Sequence, residues 1–112
     1  MTKRPTKIVN INKQTLREAG YSDLEEWLKH PDHVYIGRAV RYVQGARQSK
    51  WANPFSLKKY GRDSCIDRYA DYIMTRGDLL AQLSELEGKV LGCWCKPERC
   101  HGDVLIELLS GQ

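Results

Sequence analysis

The sequence contains no apolar run that approaches the roughly 20 residues needed to span a bilayer, so a membrane partner is not expected. The first residues, MTKRPTKIVNI, begin with positive charge. Asn10 and Asn12 interrupt the apolar residues that follow, which leaves them too short for a signal-peptide core. These absences predict a cytoplasmic protein.

The cysteines lack the spacing of a disulfide framework and of a structural zinc site. Cytoplasmic thiols are kept reduced, and three of the four cysteines (Cys93, Cys95 and Cys100) fall within eight residues. Structural zinc sites instead use two pairs of ligands separated by a longer loop. We therefore expect free thiols and no metal, and the sequence names no other cofactor.

Acidic residues are absent between Asp32 and Asp63, whereas basic residues are frequent there. The formal net charge of the chain is only +4. The local excess of cations predicts a positive surface that attracts anionic ligands, and the alternative is a solvated basic loop. The basic residues of this stretch are Arg38, Arg41, Arg47, Lys50, Lys58, Lys59 and Arg62.

The length of 112 residues, with 41% hydrophobic and 29% charged residues, predicts one globular domain over residues 1–112. Strand and helix patterns alternate along it, which is typical of an α/β fold. We expect a small three-layer domain in which helices cover both faces of a mainly parallel central sheet of about three to five strands.

Short apolar segments predict strands at residues 7–11, 33–37 and 89–95, with a further short strand possible in VRYV at 40–43. The segment 89–95 should be central because it is apolar on both faces. A capping box of Ser22 and Glu25 predicts a helix at 23–29. Further helices are expected from Asp63 until Gly77, from a cap at Asp78 until Gly88, and over the last apolar segment 104–109.

The turn GCWCKPERCHGD, residues 92–103, joins the last strand to the last helix. Unpaired N–H groups and the helix dipole would favour an anion there. Lys96, Arg99 and Cys100 are therefore candidate ligand-binding residues. A thiolate near these charges makes Cys95 a candidate nucleophile, and His101 could move a proton while Asp103 orients it.

A purely structural interpretation of the same turn is also open. In it, Cys93 packs in the core, His101 satisfies a backbone carbonyl and Asp103 is an acid of the first helical turn.

The second candidate element is KWANPF, residues 50–55. Lys50 offers a charge, Trp51 and Phe55 offer aromatic faces, and Asn53 offers a hydrogen-bond donor and acceptor. The alternative is that the aromatic side chains anchor the loop to the core. Arg38 follows the strand 33–37, whose carboxyl end should lie beside the turn at 95–103 if the strands are parallel.

The motifs VYIGR, KWANPF, GRDSCIDRYADYI and LEGKVLGCWCKPERCHGDVLIEL resemble a family of bacterial and phage proteins known as domain of unknown function 4326. The resemblance covers about residues 33–109. It implies that YIGR, NPF and CWC…CHGD form one composite site, and it implies no activity. Relatives have glycine where this chain has Ala52, and residues 39–48 resemble an insertion.

Together, these observations predict a protein that binds, and could process, a nucleotide or another phosphorylated small molecule between the turn 95–103 and the loop 38–55. The first alternative is a nucleic-acid-binding protein that uses the basic stretch 38–62; the mild net charge makes it less favoured. The second alternative is a phage or bacterial interaction module without chemistry.

Overall fold

The computed structural model describes residues 5–111. Three strands and six α-helices follow one another along this part of the chain, and a 3-10 helix at Leu83–Leu86 precedes the last strand. The elements are β1 (Lys7–Asn10), α1 (Lys13–Glu18), α2 (Leu24–Trp27), β2 (His33–Tyr35), α3 (Leu57–Tyr60), α4 (Arg62–Thr75), α5 (Gly77–Leu80), β3 (Val90–Cys93) and α6 (His101–Ser110).

The three strands form a parallel sheet in the order β1-β3-β2. Leu91 of β3 is aligned with Ile8 of β1 and with Val34 of β2. The predicted parallel sheet and the predicted central position of the last strand are both confirmed. Because all three strands point the same way, the loops after β2 and β3 leave the sheet at the same edge.

Helices cover both faces of the sheet, as predicted. Side chains of a strand alternate between faces, and Leu91 and Cys93 pack with α4 and α6 in the larger core. Val90 packs on the opposite face with Trp27 and other residues of α1 and α2. Gly92 belongs to this second face, where an added Cβ would lie 2.9 Å from both Ile11 and Trp27.

Several predicted boundaries were wrong. Asp23, not Ser22, caps α2, because its side chain accepts the Glu26 N–H at 2.8 Å while the Ser22 hydroxyl donates to the Glu26 carboxylate. The segment 40–43 forms turns instead of a strand. The helix α1 was not predicted; it has six residues and begins at the Asn12 cap.

The second half of the chain shows similar differences. The helix α4 ends at Thr75, before Gly77, and Asp78 lies in the first turn of α5 instead of capping it. The predicted helix that follows is divided into α5 and the 3-10 helix. The strand β3 ends at Cys93, so Cys95 belongs to the turn. Among residues 5–111, no helix is long and apolar enough to cross a membrane.

Candidate functional site

A cavity of about 360 Å³ lies where the chain leaves β2 and β3. We call it the first cavity. One wall is the loop after β2, another is the end of β3 with the turn after it, and the start of α4 closes a third side. Its lining residues are Gly37, Arg38, Ala39, Val40, Asn53, Phe55, Leu57, Arg62, Cys65, Ile66, Cys93, Trp94, Cys95 and His101.

Asn53 fixes the loop side of the first cavity. Its buried amide donates to the Cys65 carbonyl oxygen at 3.2 Å, and its side-chain oxygen accepts the Phe55 N–H at 2.9 Å. Its own carbonyl oxygen accepts a hydrogen bond from Nε of Arg38 at 2.7 Å. The Asn-Pro-Phe segment therefore connects the loop to α4 and orients the guanidinium of Arg38.

The turn after β3 is fastened at both ends. The Asn10 amide donates to the Lys96 carbonyl oxygen at 2.5 Å, which attaches the turn to the end of β1. The Asp103 carboxylate accepts the Cys100 N–H at 3.0 Å, and the Cys100 sulfur accepts the Gly102 N–H at 3.4 Å. These two bonds form a capping box at the start of α6.

The turn brings three thiols close together, and Cys100 acts on the pKa values of both Cys93 and Cys95. The Cys100 thiol lowers the pKa of Cys95 to about 6, and Arg62 lowers it further against the opposing effect of burial. The neighbouring thiols Cys93 and Cys95 raise the pKa of Cys100, so Cys100 keeps its proton.

Among these three residues, Cys95 is the candidate for chemistry. Cys93 is only 1% exposed and packs in the larger core, as does Cys100, whereas Cys95 is half-buried and lines the first cavity. A thiolate that is stabilised and accessible has the properties of a nucleophile.

Arg62, the first residue of α4, provides the charge beside Cys95. Its guanidinium lowers the pKa of the Cys95 thiol, and its Nη1 donates to the Arg99 carbonyl oxygen at 2.9 Å. Glu98 is its nearest ion-pair partner in the described residues, with oxygen and Nε 4.0 Å apart. Arg62 therefore joins α4 to the turn and places a positive charge at the first cavity.

His101 is held in one orientation at the inner side of the first cavity. Its Nε2 lies 2.8 Å from the Ile36 carbonyl oxygen, which can only accept, so we assign the proton to Nε2. Burial lowers the pKa of this imidazole, which keeps it neutral. Its Nδ1 is then an acceptor, 3.7 Å from the Cys100 sulfur. The predicted alternative that His101 satisfies a carbonyl is confirmed.

The structure brings together only some of the sequence-predicted residues. Arg38, Asn53, Cys95 and His101 line the first cavity, so the motifs YIGR, NPF and CWC…CHGD converge as expected. Other predicted residues form contacts elsewhere. Trp51 is 2% exposed and its carbonyl accepts from Tyr69, which places its ring in the core instead of against a ligand.

Three predicted cations are paired with acids outside the lining of the first cavity. Lys50 bonds to Glu85 at 2.6 Å, Lys96 to Asp103 at 2.7 Å, and Arg99 to two aspartates of α4 at 3.0 and 3.3 Å. Asp103 therefore holds Lys96 and the helix start, and the expectation that it orients His101 was wrong. These two aspartates are Asp63 and Asp67.

The expectation that N–H groups at the start of α6 are unpaired was also wrong in part. The capping box occupies the N–H groups of Cys100 and Gly102, and the Asp103 N–H donates to the Cys100 carbonyl at 2.9 Å. The turn thus satisfies these three donors itself. The charge available to an anion comes from Arg38 and Arg62 across the first cavity.

Sequence reasoning named Arg62 only as part of the basic stretch and overlooked Cys65 and Trp94 as site residues. A signal for Arg62 existed. The buried stripe of α4 contains Ile66, Tyr69 and Ile73, and Arg62 precedes Ile66 by four residues, on the same helical face. For Trp94, the signal in the sequence was limited to its position between Cys93 and Cys95.

A comparison of the sequence with known families supports the resemblance noted above. The profile described as domain of unknown function (DUF4326) matches residues 21–111. The chain belongs to this family. The match begins at Tyr21, before α2, so it extends further toward the N-terminus than the predicted core of 33–109.

Two viral proteins are similar to this family member. Uncharacterized protein R718 of Acanthamoeba polyphaga mimivirus is 40% identical over 85 residues, which are 67% of this chain and 65% of that protein. An uncharacterized 12.4 kDa protein of the nrdA-td intergenic region of Enterobacteria phage T4 is 31% identical over 68 residues, 57% of this chain and 63% of that protein. The chain thus spans less than two thirds of either relative. No solved structure matches.

Proposed function

We propose that the protein binds a nucleotide-like, phosphorylated small molecule in the first cavity, with Cys95 as the reactive group of the site. The observation that carries this proposal is the charge of the lining. Among the described residues, the charged side chains of the first cavity at neutral pH are the cations Arg38 and Arg62 and the Cys95 thiolate, so the net charge of the lining is positive.

The size and position of the first cavity support binding of a small molecule. Its volume of about 360 Å³ lies within the range of ligand pockets. It lies outside the carboxyl ends of two neighbouring parallel strands, where open α/β sheets bind ligands. Phe55, Leu57 and Val40 supply an apolar surface for a ring, and the arginines supply charge for a phosphate.

The reactivity of Cys95 provides a direct measure of occupancy. Iodoacetamide alkylates a thiolate by forming a carbon–sulfur bond and releasing iodide. A ligand in the first cavity should shield Cys95, so we expect nucleoside mono-, di- or triphosphates to slow its alkylation, as followed by peptide mass spectrometry. Inorganic phosphate serves as the minimal probe.

Arginine variants test whether the phosphate is recognised as proposed. Arg38→Met and Arg62→Met should each weaken nucleotide binding by about tenfold, on the order of 1.4 kcal/mol. Arg68→Met is the matched control, since Arg68 lies on the same helix as Arg62 but stacks over the Tyr60 ring. If no nucleotide shifts the melting temperature or protects Cys95, the proposal is wrong, and an interaction module without chemistry becomes the better interpretation.

A further inference from the structure

A second cavity of about 530 Å³ lies on the other side of Trp94, between the loop at 42–44 and the helices α1 and α2. Trp94 lines both cavities. The Trp94 indole N–H donates to the Tyr35 hydroxyl at 2.8 Å, which fixes the ring between them. The residues that line the second cavity are Ile11, Lys13, Leu16, Arg17, Ser22, Asp23, Leu24, Tyr42, Val43, Gln44 and Trp94.

The exposed large apolar side chains concentrate around the two cavities. In the described part of the chain there are five, of which Val40 and Leu57 line the first cavity, Tyr42 lines the second and Trp94 lines both. Met74 is the fifth and lines neither. Exposed apolar residues grouped in this way are typical of a binding surface.

Tyr42 is held in an unfavourable backbone conformation. Its φ is 69°, and it occupies the third position of a turn closed by the Val43 N–H and the Val40 carbonyl oxygen at 3.3 Å. A positive φ at this position favours glycine or asparagine, and a bulky residue there is strained. The ring is 90% exposed, so burial of the side chain does not compensate for this strain. A strained backbone at an exposed aromatic residue is typical of functional sites.

The charges around the second cavity suit an anionic ligand with aromatic groups. Lys13 and Arg17 line it, and the Arg41 guanidinium lies 5.0 Å from the centre of the Tyr42 ring. Asp23 is the acid in this lining, and its carboxylate accepts the Glu26 N–H at the start of α2. Cations next to exposed aromatic rings are the combination that binds stacked bases and their phosphates.

We infer that the second cavity is a base-binding subsite, so that the ligand of the first cavity carries a second base joined to it through phosphate. This inference rests on the proposed function. It assumes a ligand that begins beside Arg38 and Arg62 in the first cavity and continues past Trp94 to Tyr42. A dinucleotide and a single-stranded oligonucleotide share this chemistry. The ligand class is thus two linked nucleotide units instead of a mononucleotide.

The experiment compares three fluorescently labelled probes by anisotropy: a nucleoside monophosphate, a dinucleotide and a short single-stranded oligodeoxynucleotide. We expect both two-base probes to bind at least about fivefold more tightly than the monophosphate, since stacking of one base contributes about 1–3 kcal/mol. A further increase from the dinucleotide to the oligonucleotide would identify nucleic acid as the source of this chemistry, and equal affinity would identify a free dinucleotide.

Tyr42→Gly separates the ligand role from a structural one. Glycine accepts the positive φ, so the variant should melt no lower than the parent, while it loses the affinity gained from the second base. Binding of the monophosphate and its protection of Cys95 should not change. Met74→Ala, which removes an exposed apolar side chain outside both cavities, should bind all probes as the parent does.

Two results would overturn the inference alone. If the monophosphate protects Cys95 but the two-base probes bind no more tightly, the second subsite is absent and the proposed function stands. If Tyr42→Gly binds the two-base probes as tightly as the parent, the Tyr42 ring does not stack on a base. Failure of all probes to bind or to protect Cys95 would instead remove the proposed function along with the inference.

Discussion

The Lys96 ammonium donates to both carboxylate oxygens of Asp103, at 2.7 and 2.9 Å, and this pair closes the turn that carries Cys95. Burial raises the pKa of Asp103, but the bonds from Lys96 and from the Cys100 N–H outweigh burial and leave it below its ordinary value. Such a carboxylate stabilises the fold above the unfolded-state pKa of about 4 and loses this effect as the pH falls below it.

Lys96→Met should therefore destabilise the protein by about 1 kcal/mol at neutral pH, because it removes a partly buried ion pair. The difference from the parent should shrink as the pH falls below about 4, where Asp103 becomes protonated. Urea denaturation at several pH values measures both effects. A difference that is independent of pH would show that the ion pair is not the cause.

Alkylation of Cys95 should follow a thiolate that titrates near pH 6, since Cys100 and Arg62 lower its pKa to about that value. The rate should rise from pH 5 to 7 and then level off. Arg62→Met should move the midpoint upward because it removes the positive charge that lowers the pKa of Cys95. The internal control is Cys65, whose pKa is raised by burial. Equal rates for the two residues at pH 7 would contradict the assignment.

Cys100 has two roles that a pair of variants can separate. Cys100→Ala removes the acceptor of the Gly102 N–H and should cost about 0.5–2 kcal/mol of stability, the usual effect of losing a helix cap. It also removes the thiol that lowers the pKa of Cys95, so this pKa should then rise. Cys100→Ser keeps an acceptor at the cap and should be the more stable variant. The measurements are thermal melting and the pH profile of alkylation, and an alanine variant as stable as the serine variant would argue against the cap.

Gly92 of β3 leaves no room for a side chain beside Ile11 and the Trp27 ring of α2. Gly92→Ala should destabilise the fold by about 1–3 kcal/mol, because the new methyl group would lie 2.9 Å from Ile11 and Trp27. Gly77→Ala is the matched control, since a Cβ there meets nothing within 4 Å. Chemical denaturation should show a loss for the first variant only. Equal stabilities would mean that Ile11 and Trp27 can move away from the new methyl group without a loss of stability.

The strand and helix pattern could be predicted because it depends on local properties. The apolar segments of β1, β2 and β3 are short and bounded by turn residues, and the stripe of Ile66, Tyr69 and Ile73 repeats with the period of a helix. Short elements were the exception. The six-residue α1 has little periodicity of its own, and the Asn12 cap and the packing of Leu16 in the cluster around Trp27 stabilise it.

The sequence could predict where the candidate site lies but not which charged side chains line it. Parallel strands bring the ends of β2 and β3 to one edge, which is why Arg38, Asn53 and Cys95 were expected together. Which cations line the first cavity depends on acids that are distant in sequence. Arg99 is drawn to Asp63 and Asp67, more than thirty residues away, while Arg62 remains beside Cys95.

The sequence alone therefore determined the α/β class, the central strand and the region of the site, because apolar periodicity and strand direction are encoded locally. The tertiary structure decided the rest. It buried Trp51, paired Lys96 with Asp103 and brought the Cys100 thiol to Cys95. The physical reason is that burial and charge pairing depend on distances between residues, and only the folded chain sets these distances.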